Sequence, residues 1–160
     1  MTWKNGQSAG QESLKCRWDI VPYTRGTGVE VGGKTFQHFT WVDNYRDAKL
    51  FGAQIAADVK ADAHDLRQFA TDGLDFVFSS HVLEHIEDHE PALKEWWRLI
   101  KPGGHLVLYL PHADFYPRKG TEGGNPDHCH DFLPDDIVKA MESIGAWDLV
   151  VNDERDGGEE

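Results

Sequence analysis

Two apolar runs bracket an amphipathic helix in the middle of this chain, and that succession limits the folds open to it. "LDFVFSS" (residues 74–80) is an apolar run with turn signals on its flanks, which suits a strand buried on both faces. In "EDHEPALKEWWRLIKPGG", Asp88 or His89 precedes an acidic residue and Pro91, a pattern that suits a first helical turn. Leu93, Trp96, Trp97 and Ile100 then recur at helical spacing as an apolar stripe. Arg98 and Lys101 complement the dipole at the C-terminal end, and "PGG" stops the helix. "HLVLYLP" (105–111) follows at once as a second buried strand. Helices joining buried strands imply a mostly parallel sheet covered on both faces.

The flanking segments extend this pattern. "GVEVGGKTFQHFTWVDN" (28–44) reads as a strand, a glycine turn, a short connection and a second strand ending in Asp43. "IAADVKAD" (55–62) holds a third, weaker strand. A second helix is expected from Pro134 to Ile144, with Ile137, Met141 and Ile144 inward and Gly145 as terminator. Leu133 stands where an N-cap is usually polar, a small defect. "WDLVV" (147–151) is expected to be a last strand. In a sheet of this kind ligands bind beyond the carboxyl ends of the strands. The residues at those ends are Glu30 to Lys34, Asp43, Asp62, Ser79 to His81, and Pro111 onward.

At 160 residues the chain suits one domain with a single core. Residues 1–22 read as an N-terminal arm or cap, 23–152 as the domain and 153–160 as an acidic tail. No apolar run approaches the ~18–20 residues that span a bilayer, and the first residues lack an apolar signal-peptide core. Only Cys16 and Cys129 are present, so a reducing cytoplasm is the expected compartment. The formal net charge of −12 repels a phosphate backbone, and there is no basic run to compensate, so neither nucleic acid nor a membrane is expected as a partner.

Residues 75–112, "DFVFSSHVLEHIEDHEPALKEWWRLIKPGGHLVLYLPH", resemble the class I S-adenosylmethionine-dependent methyltransferases of the small "methyltransferase 11" type. They look like the family's fourth strand, its "LEH" loop, the following helix, the "KPGG" turn and the fifth strand; the resemblance extends more loosely over residues 23–152. It implies a Rossmann-like, doubly wound, three-layer α/β/α fold with S-adenosylmethionine as cofactor and S-adenosylhomocysteine as product. By the same resemblance Glu30 ends the first strand as the family's acidic residue, Gly32 begins the glycine loop, and Asp43, beside Asn44, ends the second strand at the ribose. Asp62 and Ala63 match the pair that borders the adenine, and Ser79, Ser80 and His81 line the cofactor's inner edge. The chemistry suits these residue types: a carboxylate accepts both ribose hydroxyls, and a glycine lets the backbone approach the methionine part at φ > 0. The chain departs from the family in two places. Lys34 and Phe36 occupy the second and third glycine positions, with Gly33 as a partial substitute and a shortened first helix. The final antiparallel pair has room for one strand, so the sheet is expected either to be truncated or to be completed elsewhere, as in a homo-oligomer.

Two histidine clusters compete with this reading. "HVLEH" (81–85) spells H-x-x-E-H, in which His81 and His85 on one helix face bind zinc and Glu84 acts as base. A strand ending at Ser80 and a helix beginning near Pro91 leave little room for that helix, so His85 is read as structural and no metal is assigned. One alternative for "NPDHCHDF" (125–132) is an open metal site, with His128 and His130 facing the same way in an extended segment and His112 joining them. The segment reads rather as a polar loop over the active site, with His128 and His130 as lid residues. The expected reaction is methyl transfer to a small acceptor, with His112 as first candidate for the base and His81 as second. The alternative is an inactive methyltransferase fold used as a binding or assembly module. A nicotinamide enzyme is disfavoured by the missing G-x-G-x-x-G.

Overall fold

The computed structural model describes residues 13–33, the main chain of 40–44, and residues 58–154. Lys34 and Phe36, the side chains of Asp43 and Asn44, and the tail from residue 155 lie outside the described residues. The elements are α1 (Arg17–Ile20), β1 (Gly28–Val31), β2 (Thr40–Asn44), β3 (Val59–Ala61), β4 (Leu74–Ser80), α2 (His89–Leu99), β5 (Ile100–Tyr109) and α3 (Pro134–Ile144). Single 3-10 turns also occur among the described residues at Val21–Tyr23 and Leu83–His85.

All strand pairs are parallel, and the five strands lie in the order β3-β2-β1-β4-β5. The chain winds outward from β1 to β3, then returns to place β4 on the other side of β1. The crevice between the carboxyl ends of β1 and β4 is therefore the topological switch point of the sheet, where such folds bind ligands.

The alternation along β4 explains why it is apolar throughout. Val77 faces a core with Val29, Val31, Leu93, Trp96, Leu99, Ala140 and Met141, which brings α2 and α3 onto one face. Phe76 and Phe78 point the other way, against Cys16 and Ile20 from the α1 segment, with Val107 and Tyr109 alongside. Successive residues on a strand face opposite sides, so one continuous apolar run feeds two cores.

Helix α2 differs in detail from the expected stripe. Ala92, Leu93, Trp96 and Leu99 are buried, whereas Trp97 is 41% exposed and turns an edge to Trp147. Ile100 already belongs to β5 and has extended backbone, φ −83° and ψ 125°; Pro102, which cannot supply a helical N–H and pushes Lys101 to extended backbone, keeps the helix from resuming. Leu74 pairs with Ile100 but Phe76 with His105, so "KPGG" forms an irregularity within the ladder. At α3 the apolar N-cap is compensated from inside the helix: the Asp136 carboxylate accepts the Leu133 N–H at 2.9 Å.

The expected last strand does not form. Residues 147–151 carry no strand, and Leu149, Val150 and Val151 are exposed. A strand is held by its ladder, and among the described residues no strand lies beyond β5 for this segment to join. The final hairpin implied by the resemblance is thus missing from the described sheet. No helix among the described residues is long and apolar enough to cross a membrane.

Candidate active site

At the switch point the turn after β1 meets the loop after β4. Gly32 has φ +95°, and a Cβ added there would lie 2.1 Å from Val82 Cγ2. Both the backbone conformation and the close approach therefore require glycine. The register Val31↔Val42 places Asp43 one residue further along β2, level with Gly32 on the next strand. Glu30 is fully buried at the end of β1, and its Oε1 is 3.6 Å from where a Gly33 Cβ would stand.

The two serines expected at the cofactor's edge have structural partners. Ser79 Oγ donates to the Val31 carbonyl at 3.2 Å and ties β4 to β1. Ser80 Oγ lies 2.7 Å from Ser13 Oγ and ties β4 to the N-terminal segment. After β3, Asp62 Oδ1 accepts from the His64 N–H (2.9 Å) and sits 2.6 Å from His64 Nδ1. His64 Nε2 reaches the Asp88 carbonyl at 3.0 Å, and Trp96 Nε1 donates to the Ala63 carbonyl at 3.0 Å. The Asp62–Ala63 loop is thereby clipped to the start of α2 and to the core.

The two candidate bases lie in different settings. His81 has φ +54°, directly after β4. Its N–H donates to the Tyr109 carbonyl at 2.9 Å, its ring meets Tyr109 edge-on, and its Nε2 is buried without a hydrogen-bond partner. His112 stacks on Phe115 and accepts the Asp114 N–H on Nδ1 at 3.2 Å. That bond occupies the nitrogen a base would use, and it leaves the proton of the neutral ring on Nε2, 3.8 Å from Glu154. His112 also lines a hollow of about 190 Å³ with Asp114, Leu133, Pro134, Asp135 and Glu154.

Sequence reasoning missed a convergence. Glu84 is only 1% exposed, with neither carboxylate oxygen hydrogen-bonded. His81 Nδ1, His85 Nε2 and His128 Nε2 all face its Oε1, at 3.5, 3.9 and 3.9 Å. No helix is needed to assemble H-x-x-E-H: the 3-10 turn at Leu83–His85 and the left-handed His81 do so. Nor are His128 and His130 parts of a free lid. The Cys129 and His130 N–H groups both donate to the Glu84 carbonyl, at 2.7 and 3.1 Å. His130 Nε2 lies 3.0 and 2.9 Å from the Ile86 and Glu87 carbonyls. Burial holds the His128 imidazole below its ordinary value, so it is neutral at pH 7. The signal was in both quoted histidine motifs, but nothing local says that they meet.

The strand order and the glycine turn at the switch point are those of a doubly wound, Rossmann-like fold, and such folds bind ligands at the carboxyl edge of the sheet. Residues 30–108, just under half of the chain, match the family model described as a methyltransferase domain. S-adenosylmethionine is the cofactor of that family. Solved structures of the same fold include a SAM-dependent methyltransferase from Thermotoga maritima, described as a possible histamine N-methyltransferase. It is 21% identical, with 85% of this chain and 70% of that one aligned at a TM-score of 0.65. A SAM-dependent methyltransferase from Archaeoglobus fulgidus is also 21% identical, over 86% of this chain and 69% of that one, at a TM-score of 0.65. Phosphoethanolamine N-methyltransferase 2 of Haemonchus contortus, in complex with S-adenosyl-L-methionine, is 17% identical over 84% of this chain and 36% of that one, at a TM-score of 0.57. Among curated proteins none matches the sequence.

Proposed function

We propose that this chain binds S-adenosylmethionine across the carboxyl ends of β1, β2 and β3 and transfers its methyl group to a small acceptor. The observation that carries this reading is Gly32, a glycine demanded by both conformation and contact at the one crevice the topology opens. The methionine part lies over the Gly32–Gly33 turn, Asp43 accepts the ribose hydroxyls with Asn44 beside it, and Asp62 and Ala63 border the adenine. Glu30 supports the turn from beneath. Ser79 and Ser80 act by fixing the strand ends, since their hydroxyls are engaged with Val31 and Ser13.

Transfer is an in-line displacement at carbon with a neutral thioether leaving, and most of the acceleration comes from holding nucleophile and methyl at ~3–3.5 Å. A hydroxyl or amine acceptor must also lose a proton. His81 suits that role better than His112: it follows β4 at the switch point, and His112 already uses its accepting nitrogen. Asp43→Ala tests the reading. Calorimetry should show S-adenosylhomocysteine binding to the native chain and no measurable binding to the variant, with the melting curve retained. Unchanged affinity removes Asp43 from the site.

A further inference from the structure

We propose that Glu84, His85 and His128 form a binding site for one divalent transition-metal ion, beside the carboxyl end of β4. The argument begins with Glu84. A carboxylate removed from water without a hydrogen bond is costly unless a cation compensates it. Three imidazole nitrogens face one of its oxygens at 3.5–3.9 Å. These separations are too long for hydrogen bonds. They approach the ~3.3 Å that separates neighbouring ligands around a tetrahedral ion bound at ~2.0–2.1 Å. A protonated histidine paired with Glu84 would close to hydrogen-bond contact, and none of the three does.

The tautomers agree. His85 Nδ1 lies 3.1 Å from the Asp127 carbonyl, which only accepts, so Nδ1 carries a proton, and in the neutral ring this leaves the Nε2 lone pair toward Glu84. Metal-binding histidines are oriented by this kind of bond on the far side of the ring. The ligand atoms of Glu84, His85 and His128 all lie within 4.8 Å of one another. The backbone bonds from Cys129 and His130 to Glu84 hold the turn and the distant loop together, so the set is preassembled. Two imidazoles and a carboxylate suit zinc, cobalt or manganese; magnesium and calcium prefer all-oxygen sets.

Three protein ligands leave an open coordination position, with His81 on its flank. Resting on the methyltransferase reading, the ion takes the oxygen of a hydroxyl acceptor and lowers its pKa. The hydroxyl proton passes to His81, the oxygen–methyl bond forms as the sulfur–methyl bond breaks, and the electron pair leaves with the neutral thioether.

The test is a titration of the full, chelator-treated chain with Co²⁺ followed by displacement with Zn²⁺, alongside elemental analysis after dialysis. One ion per chain and visible cobalt bands are expected, with Glu84→Gln and His128→Asn each weakening affinity at least tenfold. Cys129→Ala should bind as the native chain does, since its thiol is spent on the His85 carbonyl at 3.4 Å. In the metal-free state Glu84→Gln should melt at the same or a higher temperature, because it removes an unpaired buried charge. Absence of stoichiometric binding, binding unaffected by Glu84→Gln, or saturation by Mg²⁺ alone would overturn the proposal. So would a lower metal-free melting temperature for Glu84→Gln, the mark of a plain ion pair. S-adenosylhomocysteine affinity, measured without metal, reports separately on the cofactor site.

Discussion

Replacing Gly32 by alanine puts a methyl group where the structure has none to spare. The added Cβ would stand 2.1 and 2.7 Å from the two Val82 methyls, at a φ of +95°. A side chain held in that backbone region costs about 1–3 kcal/mol, and overpacking of a closed contact costs about 1–3 kcal/mol more. The expected loss is thus about 2–6 kcal/mol, which urea denaturation would register as a midpoint lower by roughly 1 M or more. Val82→Ala alone should cost about 1–3 kcal/mol through lost burial. Combined with Gly32→Ala, it removes the clashing methyls but leaves the backbone strain. The double variant should therefore be more stable than the sum of the two losses predicts, by about 1–2 kcal/mol. Additive losses, or a Gly32→Ala variant within about 0.5 kcal/mol of the native chain, would refute the contact between the two loops at the switch point.

Two further outcomes follow from the supports of the site. Trp96→Phe removes the indole bond to the buried Ala63 carbonyl and should cost about 1–3 kcal/mol while weakening S-adenosylhomocysteine binding; a stability loss with unchanged affinity would separate the Asp62–Ala63 loop from the cofactor. Glu95 accepts the Leu66 N–H at 2.7 Å and pairs with Arg98, whose guanidinium holds its carboxyl below the usual 4.5. Its contribution is therefore present above about pH 4.5 and is lost as pH falls through the lower folded value. Being partly exposed, the pair is worth only about 0.5–1 kcal/mol. Melting curves of Glu95→Gln and the native chain should differ by that amount at pH 7 and converge in acid; a gap that widens in acid would contradict the assignment.

What was legible in the sequence depended on whether the signal was local. β4 and α2 could be read because burial on two faces and on one stripe leaves different periods in the residues themselves; β5 forms where expected but lies at the edge of the described sheet and is half-buried, not buried on both faces. The exchange of Trp97 for Leu99 in the buried stripe is a rotation of one helix, which periodicity tolerates. "WDLVV" carries the same β-rich composition as the strands that form, yet its fate depends on a ladder partner, and composition does not encode the neighbour. Glu30, Gly32 and Asp43 could be placed near one sheet edge from strand ends alone; the register sets Asp43 level with Gly32 and Glu30 opposite Trp41, two residues earlier. The histidine cluster could not be read. H-x-x-E-H is visible, but as a helix motif it does not fit between β4 and α2, and His128 reaches it through a loop far along the chain.

The central claim is that the crevice over Gly32, between β1 and β4, is the cofactor site. A crystal structure of the chain with S-adenosylhomocysteine tests it directly. The account predicts density for the ligand along the β1 turn, its amino-acid part over Gly32 and its ribose at Asp43. Ligand bound elsewhere, or a crevice closed by side chains while the crystals are saturated with ligand, would contradict it.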